Sequence, residues 1–285
     1  MPGREGKRGL MRRTGSFKTV ALLMLIPVGG IVLFFLWSFL HNALSLLHRP
    51  GRGELQGEAS MLGTAHRGDI VLILDDVGFD HQPLDSAMAI DPNVNFAVLP
   101  NGRRSIEFAS TLHARGFELL CHLPMEPEGF PRISPGDGAV LTTMSDAEIA
   151  TATRANIQSI RFARGVNNHM GSRATADRRV MTDVFGALPK GMYFIDSKTT
   201  GNSIAGPLAR TMRVKTASRN VFLDDVQDVV SIRRQLAELA DTAASRGVSV
   251  GIGHMYPSTI QVLTEEAPKL RAEGFRFVRA SAAVR

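Results

Sequence analysis

The sequence predicts an α/β domain built on buried parallel strands, and two habits of the chain carry that prediction. Short apolar runs end repeatedly in an ionisable side chain: Val71-Leu72-Ile73-Leu74 before Asp75 and Asp76, Phe117-Glu118-Leu119-Leu120-Cys121 before His122, Met192-Tyr193-Phe194-Ile195 before Asp196, Val221-Phe222-Leu223 before Asp224, and Val248-Ser249-Val250-Gly251-Ile252-Gly253 before His254. Such runs, separated by helical-looking stretches, read as strands covered on both faces. Gly116, Gly247 and Gly274 each close a stretch rich in Arg, Lys or Ala and precede an apolar run. That is the order of repeated βα units, in which a left-handed residue ends the helix. In barrels and open sheets of this class the reacting groups gather at the carboxyl ends of the strands, where the loops converge on one cavity.

The chain has 285 residues and opens with a basic tail, 1–18, in which Arg4, Lys7, Arg8, Arg12, Arg13 and Lys18 oppose Glu5 and carry five of the six net positive charges. The remainder is near neutral. It leaves no basic face for a polyphosphate backbone, so nucleic acid is not an expected partner. Residues 19–40 are uncharged and rich in Leu, Ile, Val and Phe, and at about 1.5 Å per residue they match the ~30 Å hydrocarbon core of a bilayer. They read as a transmembrane anchor or signal segment. The positive flank stays cytoplasmic, which sends the rest of the chain across a bacterial inner membrane to the periplasm. A cleaved signal peptide is the rival, but the apolar part is long for one and no A-x-A site follows it. Pro27, Gly29 and Gly30 argue against a buried soluble helix. Residues 41–68, with Pro50 and several glycines, read as a linker, and 69–285 as the folded domain.

Within that domain strands are expected near 70–75, 94–99, 117–122, 165–168, 191–195, 212–216, 220–224, 248–253 and 275–279, and helices over 105–115, 146–161, 174–188, 229–246 and 258–273. Ser145 before Asp146 and Glu148 suits a helix N-cap. Pro257 suits the first turn of the last long helix. The segment 124–143, with Pro124, Pro127, Pro131 and Pro135, is a long proline-rich connection, and such connections inside compact domains are usually functional loops. Cys121 is the only cysteine; it excludes an intrachain disulfide and reads as a buried, inert thiol.

The strand ends carry the chemistry. Asp75 and Asp76 are adjacent in an extended chain and are expected to point to opposite faces, one binding a metal and the other facing a reacting water. His122 is followed four residues later by Glu126, a second possible ligand. The densest polar cluster is Gly165-Val166-Asn167-Asn168-His169-Met170-Gly171-Ser172, where amides and a histidine make sense as groups around a ligand. Asp196-Ser197-Lys198, Asp224-Asp225 and Gly253-His254 close three further strands. Each ending alone could be a cap or a turn. His66, His81 and His113 have no second ligand at useful spacing and read as structural.

Taken together, Leu74-Asp75-Asp76-Val77-Gly78, His122-Leu123-Pro124-Met125-Glu126-Pro127, the cluster from Gly165 to Ser172, Phe194-Ile195-Asp196-Ser197, Phe222-Leu223-Asp224-Asp225 and Gly251-Ile252-Gly253-His254 resemble the ordered motifs of the divergent polysaccharide deacetylase family. That family is similar to the NodB-like carbohydrate esterases. The resemblance implies a distorted (β/α) barrel with a divalent metal, zinc by expectation, at the strands' carboxyl ends. It implies Asp75 as catalytic base, Asp76 and His122 as metal ligands, and His254 as general acid. Glu126 stands where the esterases have a second histidine, and the cluster around Asn168 and His169 takes the place of an Arg-x-Pro-x-Gly segment. The remaining ligand is therefore either Glu126 or His169, with Asn168, Asp196, Ser197 and Asp224 left as substrate-binding residues.

The activity implied is hydrolysis of N- or O-acetyl groups on an envelope polysaccharide, a peptidoglycan-type glycan included, by a membrane-anchored enzyme. An envelope protein that keeps the fold and binds glycan or protein without turnover is the alternative, since a changed ligand set can abolish chemistry while preserving the cavity. Phosphoryl transfer at Asp75 and Asp76 is weaker, because no glycine-rich phosphate loop accompanies them.

Overall fold

The computed structural model describes residues 65–285. The tail 1–18, the apolar segment 19–40 and most of the linker lie outside the described residues. Among those described, no helix is long and apolar enough to cross a membrane.

Nine strands of the described residues form one sheet: β1 (Gly68–Val77), β2 (Asn95–Val98), β3 (Glu118–Met125), β4 (Ala163–Met170), β5 (Tyr193–Asp196), β6 (Thr216–Ser218), β7 (Val221–Phe222), β8 (Val248–His254) and β9 (Phe275–Phe277). The order across the sheet is β6-β5-β4-β3-β2-β1-β8-β7, with β9 paired to β1, and every pairing is parallel. The two ends of that order, β6 and β7, are joined by Arg219 and Asn220 alone. So short a connection forces the sheet to curl until its ends nearly meet. The result is a curled half-barrel, with no ladder between β6 and β7.

Both faces of the sheet are dry. Ile70, Leu72 and Leu74 of β1 pack outward, under the helices, while Val71 and Ile73 face inward with Ala97, Leu120, Tyr193, Ile195, Val250 and Ile252. This two-sided burial is why the strands read as unbroken apolar runs rather than as alternating ones. Among the described residues eight helices accompany the sheet: α1 (Leu84–Met88), α2 (Ser105–Ala114), α3 (Asp146–Ser159), α4 (Arg178–Ala187), α5 (Ala205–Thr211), α6 (Val229–Arg246), α7 (Pro257–Ala272) and α8 (Ala280–Ala283).

Their boundaries follow local chemistry. Ser145 and Glu148 cap α3 reciprocally in a capping box, Asp228 caps α6 by accepting from the Ser231 amide, and Pro257 opens α7. Gly247 ends α6 at φ 83° and releases the chain directly into β8; Gly116 and Gly274 turn the chain the same way. The strand expected at 212–216 is displaced. Residues 205–211 form α5, Arg213 turns back at φ 59°, and the ladder starts only at Thr216. Met212 and Val214 pack on the outer core from that turn, so their apolar alternation marks a helix exit and not a strand.

Candidate active site

The inward alternation of the strands decides what gathers at the rim. Continuing past Val71 and Ile73 brings Asp75 inside; past Leu120, His122; past Gly165, Asn167 and His169; past Val250 and Ile252, His254. Strand register supports the same gathering, with Asp75 beside His254 and His122 beside Asn167. A cavity of about 420 Å³ opens there, lined by Asp75, Asp76, His122, His169, His254 and Arg219 among others, a size typical of small-ligand sites.

Asp76 departs from the expectation that it faces away from Asp75. Its φ is 58°, the pairing with β2 slips between Leu74 and Val77, and Val77 packs outward like Leu74 although it stands at an odd position. The left-handed residue turns the Asp76 carboxylate into the cavity beside its neighbour's. Such a conformation costs a non-glycine residue roughly 1–2 kcal/mol. Gln82, which sequence reasoning missed, holds it in place: its amide donates to the Asp76 carbonyl at 2.7 Å and its Oε1 accepts from the Gly78 and Phe79 amides at 2.9 and 3.0 Å.

Asp76, His122 and His169 can each offer one atom to a common point, the three lying within 4.8 Å of one another. His169 Nδ1 is 2.9 Å and His122 Nε2 3.2 Å from Asp76 Oδ1, and the two imidazole nitrogens are 3.3 Å apart. Proximity here is not hydrogen bonding, because Asp76 Oδ1 is buried and has no aligned donor. Asn167 explains why. Its Nδ2 donates to Asp75 Oδ1 at 2.8 Å, so its Oδ1 is left to accept from His122 Nδ1 at 2.9 Å. With the proton at Nδ1, neutral His122 presents a lone pair at Nε2. A lone pair aimed at a carboxylate oxygen is satisfied by a cation between them, and one carboxylate with two imidazoles is a donor set that suits zinc. The residues present fit a divalent metal.

The field in the cavity favours negative charge on Asp76 and positive charge beside it, whether on a protonated His122 or on a cation in its place. Burial disfavours the Asp76 anion, but His122 and His169 outweigh it and hold the group well below the usual carboxylate range. Burial also disfavours protonated His122, yet Asp75 and then Asp76 raise its pKa. For Asp75 burial wins: desolvation lifts its pKa against the opposing pull of His122 and His254. His254 is raised to about 9, because Asp224 more than offsets burial. Asp224 Oδ1 lies 3.0 Å from His254 Nδ1, while its Oδ2 accepts from the His254 amide at 2.6 Å and from Thr259 at 2.8 Å. His254 Nε2 then faces Asp76 Oδ2 at 3.6 Å.

Not every expected residue joins this group. Glu126 is elsewhere: its carboxylate accepts from the Thr142 amide and hydroxyl at 2.6 and 2.7 Å and from Arg173 at 2.8 Å, pinning the proline-rich loop to the end of β4. Of the two candidates for the remaining ligand, the structure brings only His169 to Asp76 and His122. Asn168 and Ser197 line the cavity, although Asn168 also uses its side chain to hold the Ser197 amide and the Met170 carbonyl. Asp196 and Asp224 do not line it. Asp196 is fully engaged by the Lys198 amide and Ser203, and Asp224 serves His254. Cys121 is buried, which pushes its thiol pKa up and leaves it inert. His113 stacks flat on Phe162 at 3.8 Å and His66 pairs with Asp69. Arg219, whose side chain reaches the cavity from outside the strand-end motifs, had no signal in those motifs.

A curled parallel sheet with aspartates and histidines at its carboxyl rim makes this an α/β half-barrel with its reactive groups gathered at one mouth. Residues 72–284 match the family described as divergent polysaccharide deacetylase, and the chain belongs to that family. It is 35% identical over 199 residues to an uncharacterized protein, YibQ, of Escherichia coli (strain K12), an alignment that takes in 70% of this chain and 62% of the relative. The chain thus spans less than two thirds of that relative's length. It is 34% identical over 196 residues to an uncharacterized protein of Haemophilus influenzae, covering 68% of this chain and 69% of the other. A crystal structure of an uncharacterized protein from Agrobacterium tumefaciens C58 shares the fold, with a TM-score of 0.68 and 22% identity over 83% of this chain and 92% of that one.

Proposed function

We propose that the protein is a divalent-metal-dependent deacetylase that removes N- or O-acetyl groups from an envelope polysaccharide. The observation that carries this reading is the orphaned Asp76 Oδ1, buried between two imidazole nitrogens that do not donate to it. Asp76, His122 and His169 would hold the ion, zinc by its match to the donor set. When bound, such an ion supplies Lewis acidity, polarising a carbonyl and lowering the pKa of a water towards about 7. Asp75, its pKa raised by burial, takes the proton from the attacking water as a general base. Asn167 keeps that carboxylate in place. His254, held protonated by Asp224 to about pH 9, gives a proton to the departing amine or alkoxide. Asn168, which lines the cavity and keeps one amide hydrogen beyond its bond to Met170, would support the developing oxyanion.

The apolar segment 19–40 would tether this domain to the inner membrane with the site on the periplasmic side, the linker 41–68 giving it reach. Protease protection of the domain in intact cells, lost on opening the outer membrane, is the expected result. The activity is tested by release of acetate from acetylated cell-wall oligosaccharides by zinc-loaded protein. Chelation is expected to stop release and zinc to restore it; equal rates with and without the ion would overturn the reading. Tight glycan binding without acetate release would favour the non-catalytic alternative.

A further inference from the structure

Among the described residues, two cations line the cavity that the mechanism leaves unused, Arg219 and Lys198. Arg219 lies on the short connection between β6 and β7, where the two edges of the curled sheet come together. Its Nε donates to the Ser197 carbonyl at 2.6 Å and its Nη2 to the Lys198 carbonyl at 2.8 Å, and its guanidinium lies over the Phe222 ring at 5.0 Å. Arg173 and Arg271, by contrast, meet the carboxylates of Glu126 and Asp91 at 2.8 and 2.6 Å. Among the described residues no carboxylate oxygen comes within 4.0 Å of Arg219. Asp75, Asp196 and Asp225 act on it only through space, and burial pulls its pKa down in spite of them.

A guanidinium has five N–H donors, and the two bonds to carbonyls leave most of that fork without an anionic partner. Taking a cation partly out of water without a counter-ion is unfavourable, which makes the site receptive to an anion arriving with the ligand. Lys198 adds to the same wall. It lines the cavity from a left-handed backbone at φ 48°, and Arg219 fixes that turn by taking the carbonyls of residues 197 and 198. Arginine pairs with carboxylates through two parallel N–H bonds, a geometry that fixes orientation as well as supplying attraction.

We propose that the substrate is an acidic glycan, one carrying a carboxylate close to the acetyl group removed, and that Arg219 with Lys198 binds this carboxylate. The placement of the acetyl group rests on the deacetylase reading above; the anion site does not depend on turnover. The carboxylate could belong to a hexuronate ring or to a lactyl ether on an amino sugar, and the two are separable by experiment.

The test is calorimetric binding to the zinc-loaded full chain. Four probes are used: an N-acetylated amino-sugar tetrasaccharide bearing lactyl ethers, an O-acetylated oligouronate, and each of these with its carboxyls reduced to alcohols. At least one acidic probe is expected to bind roughly 10-fold more tightly than its reduced partner, as one charge-assisted pair gives, and the probe that does so identifies the source. Arg219→Gln is expected to erase that preference, the acidic and reduced probes then binding alike, and Lys198→Gln to weaken it about threefold. Wild-type protein that binds acidic and reduced probes alike overturns the proposal. So does an Arg219→Gln protein that loses affinity for both members of a pair equally, since that is the mark of a loop brace alone. If Arg219→Gln does not fold, the wild-type comparison and Lys198→Gln decide. Acetate release is scored separately, so loss of the deacetylase reading and loss of the anion site are distinct results.

Discussion

The two ends of the half-barrel bury polar side chains on the same strands and treat them in opposite ways. At the amino ends the chain's own C-terminus closes the barrel. Ala280 packs among the inward residues, its amide donates to Asn95 Oδ1 at 2.8 Å, and Asn95 Nδ2 donates to the Leu72 carbonyl at 2.9 Å. Glu118 accepts from Tyr193, from the Ser281 amide and from the Ser281 hydroxyl, while Thr216 and Arg285 exchange backbone bonds. Each of those groups is satisfied within the chain. At the carboxyl ends Asp76 Oδ1 has no donor, Asp75 is lifted in pKa by burial and Arg219 meets carbonyls but, among the described residues, no carboxylate. Buried polar groups in a folded protein are almost always hydrogen-bonded. One exception, Asp76 Oδ1, stands between two imidazoles at the rim of the cavity, and it marks where something from outside the chain completes the structure.

Substitutions at the two ends should separate cleanly. Asp75→Asn is expected to lower the deacetylation rate by about 10²–10⁴, the range for a lost general base, with a melting temperature close to wild type because the amide can still accept from Asn167. A variant that keeps its rate would remove Asp75 from the chemistry. Asp224→Asn should change the pH profile. His254 must be protonated to act as an acid, so the wild-type rate falls as pH rises through about 9. Without Asp224 that fall should move down towards the ordinary histidine value of about 6.5, and a basic limb that does not move would show that another group donates the proton.

At the closed end the pattern reverses. Glu118→Ala strips buried Tyr193 of its acceptor and should destabilise by roughly 1–3 kcal/mol, the cost of one unsatisfied buried group; the rate per folded molecule should hold. Denaturant titration alongside acetate release checks both halves. The smallest effect is expected at the turn below the rim. Gln82→Ala loosens the backbone that aims Asp76, and metal affinity should fall about 10-fold, as for other outer supports of metal ligands. Isothermal titration would show it, and unchanged affinity would mean the turn holds its shape without Gln82.

Much of this was legible in the sequence because two-sided burial writes itself as continuous apolar runs. β1, β3, β5 and β8 were read from such runs, and α6 from its residues Val229 to Arg246. The strand ends announced Asp75, His122 and His254 for the same reason, since a charge that follows a buried run has to sit at a rim, while His169 was announced by the polar cluster around it. What stayed hidden depends on backbone geometry. No pattern signals that Asp76 adopts a left-handed conformation, so the two aspartates were expected on opposite faces when they share one. The His122 to Glu126 spacing suggested a helical turn, whereas β3 runs straight through to Met125 and carries Glu126 off to Arg173. Gln82, Thr259 and Arg219 act through contacts made only after the chain folds, and their neighbours in sequence are unremarkable.

The central claim is that Asp76, His122 and His169 share one cation and Glu126 does not. Calorimetric titration of zinc into the full chain tests it most directly, with wild type, His169→Ala and Glu126→Gln compared at neutral pH. The expected result is one ion per wild-type chain, binding abolished or weakened at least 100-fold in His169→Ala, and binding unchanged in Glu126→Gln. Zinc affinity that survives in His169→Ala, or that is lost in Glu126→Gln, would contradict it.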